Sequence, residues 1–171
     1  MRFSLLTRII PPIVFSGNNI GDLAGAVFFS KIGRNNVLRS IIISQNDLST
    51  QTGNEMAKFL AVNTVVTTID ISSNGLTDTC IESIAEVLNN DNRTLKSFDI
   101  SHNNFGANGT SSLFMALENC YSLTNLDLSG NNLSLKTNVN MLDRKGIMKF
   151  NEKNFISSCL LSSGLTSINL R

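Results

Sequence analysis

The sequence predicts an α/β solenoid: a right-handed horseshoe with a parallel sheet of about six strands on its concave side and helices on its convex side. Three observations carry this prediction. The stretch Leu95 to Phe105, LKSFDISHNNF, places apolar residues at offsets 1, 4, 6 and 11 and Asn103 at offset 9. The same frame starts at Ile10 (IPPIVFSGNNI), Leu38 (LRSIIISQNDL), Val66 (VTTIDISSNGL) and Leu123 (LTNLDLSGNNL), at spacings of 28 or 29 residues. Between frames lie segments with helical apolar spacing. A fixed period of this size marks stacked units that bury a shared core, and its length accommodates a helix in each return limb.

Each element follows from the frame. Residues 1–9 precede it as a lead-in, and a single domain covers 10–171, with repeats starting near 10, 38, 66, 95, 123 and 165. In the first repeat Pro11 and Pro12 lack amide donors, which a strand tolerates at a sheet edge. Asp22 is positioned to cap a helix over 22–33 that carries Leu23, Ala26, Val27, Phe28 and Ile32. Ser49 or Thr50 precedes a helix with Met56, Phe59 and Leu60. Thr77 or Asp78 precedes one with Ile81, Ile84, Ala85 and Leu88, and Asn108 or Thr110 precedes one with Leu113, Phe114 and Leu117. The frame asparagines Asn18, Asn46, Asn74, Asn103 and Asn131 are expected to bend the chain off the sheet and bond main-chain groups of adjacent turns as a structural ladder.

The periodicity breaks once. Between Leu133 and Leu165 lie 31 residues where intact repeats place about 17. The excess maps to about 135–149, a locally basic insertion with Lys136, Arg144, Lys145 and Lys149 against Asp143. Beyond it Phe155, Ile156, Cys159 and Leu160 match the usual helix. The last frame, LTSINLR, shows its first three apolar residues and leaves a strand open at Arg171, which suggests an array that continues.

Composition narrows the function classes. An apolar fraction of 42% supports a continuous core, and a net charge of +1 gives no general attraction to nucleic acid or to an anionic membrane. Cys80, Cys120 and Cys159 form an odd set without metal or disulfide spacing, which reads as reduced thiols in a cytoplasmic protein. The single histidine, His102, has no Cys or second His at its level of the stack, so neither a catalytic triad nor a metal site is expected. Gly17, Gly75 and Gly130 mark turns, not a phosphate loop. No cofactor, metal or small-molecule substrate is implied, and the chain is expected not to be an enzyme.

The concave face is built from offsets 2, 3, 5, 7 and 8. Its middle column reads Val14, Ile42, Asp70, Asp99, Asp127, Asn169. Three stacked carboxylates could receive a protein partner with a basic surface. Repeat consensus at Asp and Ser offsets is the competing explanation, and Arg39 and Lys96 at offset 2 are candidates to pair with the row. The expected partner contacts are Asp70, Asp99, Asp127, Ser72, Ser101 and His102.

The pattern LxxLxLxxNxL followed by a helix resembles the ribonuclease-inhibitor-like subfamily of leucine-rich repeats, shared by Ran GTPase-activating protein, NLR-type immune receptors, tropomodulin and leiomodin, and actin-capping regulators of the CARMIL type. The resemblance covers residues 10–171. It implies the α/β horseshoe and a non-catalytic protein–protein interaction module. The alternatives it implies are a GTPase activator, whose strand-to-helix loops would carry polar or basic side chains where this chain has Asn19, Asn104 and Asn132, and an actin-filament regulator.

Overall fold

A computed structural model describes residues 11–133 and 165–170. The predicted lead-in, the basic insertion, the following helix with Cys159, and Arg171 lie outside the described residues.

The described chain alternates strand and helix: β1 Ile13–Val14, α1 Asp22–Ile32, β2 Ser40–Ile42, α2 Thr50–Val62, β3 Thr68–Asp70, α3 Asp78–Asn90, β4 Ser97–Asp99 and α4 Ala107–Leu117. Then come β5 Asn125–Asp127 and β6 Ser167–Asn169. The six strands pair in parallel in chain order. Each residue faces the one a full repeat away: Ile41 on Ile69, Ile69 on Phe98, Phe98 on Leu126, and Leu126 on Ile168. Short strands suffice because every unit is closed by its neighbours, and the β–α–β crossovers are right-handed by the sterics of twisted strands. Pro11 and Pro12 sit just before the edge strand β1, where their missing donors leave no ladder bond unmade.

The core is the column of frame residues from the sheet packed on the inner faces of the helices. Ile41, Ile43, Leu48, Ile69, Ile71, Leu76, Phe98, Ile100, Phe105 and Leu128 are buried, as are Met56, Phe59, Leu60, Ile81, Ile84, Leu88, Leu113, Phe114 and Leu117. At the first helix the expected face is met in part: Ala26 is buried and Phe28 and Ile32 pack against the core. Phe29 is buried with Ala26 and Gly25, whereas Leu23 and Val27 are 72% and 50% exposed. Among the described helices α1 packs on α2 alone, so the spacing of its apolar residues does not choose which of them enter the core.

The caps also differ from expectation. None of the four described helices is capped by a side-chain bond from its own N-cap residue, and α4 starts one residue before Asn108, with Gly106 at its N-cap. Asp22 instead accepts the amides of Ser49, Gln51 and Thr52 at 2.8–3.0 Å and caps α2 from the preceding repeat. Asp78 does the same for α4 through the amides of Gly106 and Gly109 at 2.7 and 3.0 Å. Thr50 holds the equivalent place in α2 and meets the Thr77 hydroxyl at 2.9 Å. A carboxylate beside the positive end of a neighbouring helix satisfies orphan donors and the helix dipole together. For Asp22, burial pulls the carboxyl up, and the Thr52 and Ser49 amide bonds outweigh it, so its pKa lies below the usual 3.8.

Candidate functional site

The site is positioned by the asparagine ladder at the C-terminal ends of the strands. Asn46 is fully buried; its amide nitrogen donates to the carbonyls of Phe15, Ile43 and Ser44, and its oxygen accepts the main-chain amide of Asn18. Asn74, Asn103 and Asn131 repeat the pattern one repeat further along each time. Asn18, at the edge, donates to its own turn through Phe15 and Ser16. These bonds close the polar backbone where the chain leaves the sheet.

A second ladder, absent from the sequence expectations, runs where the chain returns from helix to strand. Asn35, Asn63 and Asn92 each accept two main-chain amides, at Val37 and Leu38, Val65 and Val66, and Thr94 and Leu95. Asn63 and Asn92 also donate across to Asn35 and Leu60 carbonyls. The signal was present, because these residues recur at 28 and 29 residues, with buried Cys120 next in line.

With both rims pinned, the exposed face of the sheet carries Asp70, Asp99 and Asp127 side by side in strand register. One oxygen of each is held in a local turn: Ser72, Ser101 and Ser129 donate their amides to the carboxylates two residues earlier at 2.9–3.0 Å. Ser72 adds its hydroxyl to Asp70 at 2.7 Å. Such turns fix carboxylate direction without neutralising charge. Asn169 donates to the other oxygen of Asp127 at 3.0 Å. At Asp127 burial raises the carboxyl pKa, but the bonds from Ser129 and Asn169, with the nearby charge of His102, bring it below 3.8.

The remaining predicted contacts divide. Ser72 is half-buried on the face beside Asp70, whereas Ser101 is 6% exposed and offers a partner almost no surface. His102 is exposed in a left-handed turn, with φ of 51° and its amide donated to the Ser129 carbonyl at 2.7 Å. A Cβ at Gly130 would run into its imidazole, so glycine there leaves room for the ring.

Arg39 and Lys96 do not pair with the carboxylates. The one ion pair between described residues joins Lys58 to Glu55 on α2 at 2.6 Å. The strand-to-helix loops present exposed Asn19, Asn104 and Asn132, and the amides of Asn104 and Asn132 are tied to the carbonyls of Leu76 and Phe105. Cys80 and Cys120 are buried free thiols, and burial raises the Cys80 pKa. Among the described residues no group of three His, Cys, Asp or Glu could hold a metal, and no helix is long and apolar enough to cross a membrane.

Comparison with known proteins agrees with the architecture. Family models described as leucine-rich repeats match residues 62–85 and 91–114 in one case and 122–142 in another. No curated protein matches. Among the solved structures that match is leiomodin-1 actin-binding site 2, at 18% identity and a TM-score of 0.62, over 87% of this chain and 79% of that one. With six parallel strands in repeat register, helices in the described return limbs and an asparagine ladder, the chain carries leucine-rich repeats and has the α/β leucine-rich-repeat solenoid fold.

Proposed function

We propose that this protein is a non-catalytic interaction module whose concave sheet face docks a protein partner with a basic surface. The observation that carries the reading is the row Asp70, Asp99 and Asp127, aligned by strand register and without an ion pair to a described Lys or Arg. The row is preorganised, since Ser72, Ser101 and Ser129 already orient the carboxylates, and a rigid surface loses little conformational entropy on binding. Opposite charge across the face sets the choice of partner and the speed of encounter more than the final affinity.

The test compares the wild type with Asp70→Lys/Asp99→Lys/Asp127→Lys as baits in lysate, after circular dichroism shows that both fold. Partners read by mass spectrometry and kept by the wild type alone, with capture weakening as salt rises, are expected. Identical partner sets for the two baits would reject the acidic row as the docking site.

A second reading is actin-filament regulation. It is favoured by the fold shared with leiomodin-1 actin-binding site 2, a protein whose name declares actin binding. Co-sedimentation with filamentous actin tests it directly; a chain that stays in the supernatant at micromolar actin counts against it. No corresponding observation favours a GTPase activator, because the described strand-to-helix loops carry asparagine and His102 and no Lys or Arg.

A further inference from the structure

The column that holds the carboxylates continues past them. Val14 registers on Ile42, Ile42 on Asp70, Asp70 on Asp99, and Asp99 on Asp127, so one line across the strands changes from apolar to anionic. Val14 is 57% exposed and Ile42 is half-buried, with exposed Pro12 beside them. The frame demands apolar residues at offsets 1, 4, 6 and 11. Offset 5 lies outside that demand, so Val14 and Ile42 face away from the core.

Resting on the reading that the concave face takes a protein, we infer that the partner presents an α-helix lying along this column, with one apolar side chain over Val14 and Ile42 and a Lys or Arg in each following turn over Asp70, Asp99 and Asp127. Charge complementarity selects the cations, because the three carboxylates meet no described Lys or Arg. Exposed Arg39 and Lys96 flank the column at offset 2 and repel a cationic helix that strays toward that rim. Spacing selects the helix. Adjacent strands lie about 4.8 Å apart and helical turns about 5.4 Å, so facing residues drift by about 2 Å over three steps. Every second residue of an extended segment repeats at about 6.7 Å and drifts by about 6 Å over the same distance.

The probe is a synthetic amphipathic peptide of about 16 residues, long enough to cross five strands as a helix. One version carries Leu, Lys, Lys, Lys on one face in successive turns. A second exchanges the Leu with the adjacent Lys, and a third places proline at its centre. Fluorescence anisotropy against the folded chain is expected to give about tenfold tighter binding for the ordered peptide, equivalent to one well-placed contact. Val14→Ser/Ile42→Ser, two exposed or half-buried positions, should lower the ordered peptide to the level of the exchanged one and leave the latter unchanged. Equal binding of ordered and exchanged peptides, or undiminished binding of the proline version, overturns the inference. If Asp70→Lys/Asp99→Lys/Asp127→Lys still abolishes binding in that case, the docking face stands and the helix does not. Undiminished binding to that variant removes both.

Discussion

At Asn74 a single amide joins two adjacent turns of the solenoid. Its nitrogen donates to the carbonyls of Ile43, Ile71 and Ser72, and its oxygen accepts the amides of Asn46 and Leu48. Asn74→Ala should cost on the order of 1–3 kcal/mol for each stranded buried group, read as a lower urea midpoint. A midpoint within error of the wild type would show that water replaces the amide at no cost. Asp127 carries a different kind of prediction. Its folded pKa is below the unfolded value, so the unfolded chain takes up the proton first as pH falls. The stabilisation is complete above about pH 4 and is lost on acidification through and below that value. Asp127→Asn should therefore flatten the acid limb of stability against pH. Superimposable acid limbs would argue against the bonds from Ser129 and Asn169. The frame asparagines were readable at this scale because their period is strict. The repeat column set Asn169 beside Asp127, but the bond between their side chains was not readable, because it depends on the rotamers that the two adopt across the strands.

Among the elements, the helices show how local reasoning misassigns a contact. Asp22 and Asp78 look like first-turn acids for their own helices, yet each caps the next helix in the stack. Asp78→Ala should destabilise the chain by about 1 kcal/mol through loss of the α4 cap, seen as a lower thermal midpoint. Thr50→Asp should raise the midpoint by a similar amount, because Thr50 stands over α3 where Asp22 stands over α2 and Asp78 over α4. A fall in stability for Thr50→Asp would show that the Thr50–Thr77 hydroxyl contact is worth more than a carboxylate cap. At α1 the sequence pattern located the helix and part of its inner face, Ala26, Phe28 and Ile32, but Phe29 rather than Leu23 and Val27 completes it. Apolar periodicity reports that a helix has an inner face; neighbouring helices decide its rotation.

Across the whole molecule, stability is a sum of contacts between adjacent repeats. Gly53 shows how closely the units approach, since a Cβ there would meet Cys80 Cβ at 2.5 Å and its Sγ at 2.6 Å. Alanine is the better helix former, but the wedge between α2 and α3 should outweigh that gain. Gly53→Ala is expected to cost about 1–3 kcal/mol and to broaden the urea transition as the two sides of the stack uncouple. An unshifted transition of the same slope would mean that the helices separate freely. The repeat frame alone was sufficient to determine the solenoid, its parallel strand order, the buried column from Ile41 to Leu126 and the frame ladder, because each of these depends on a spacing repeated along the chain. Tertiary structure alone decided which helix each aspartate caps, that Arg39 and Lys96 leave the carboxylate row unpaired, and that Ser101 is withdrawn from the surface. Those outcomes depend on distances and rotations between neighbouring turns, which a period in one dimension does not contain.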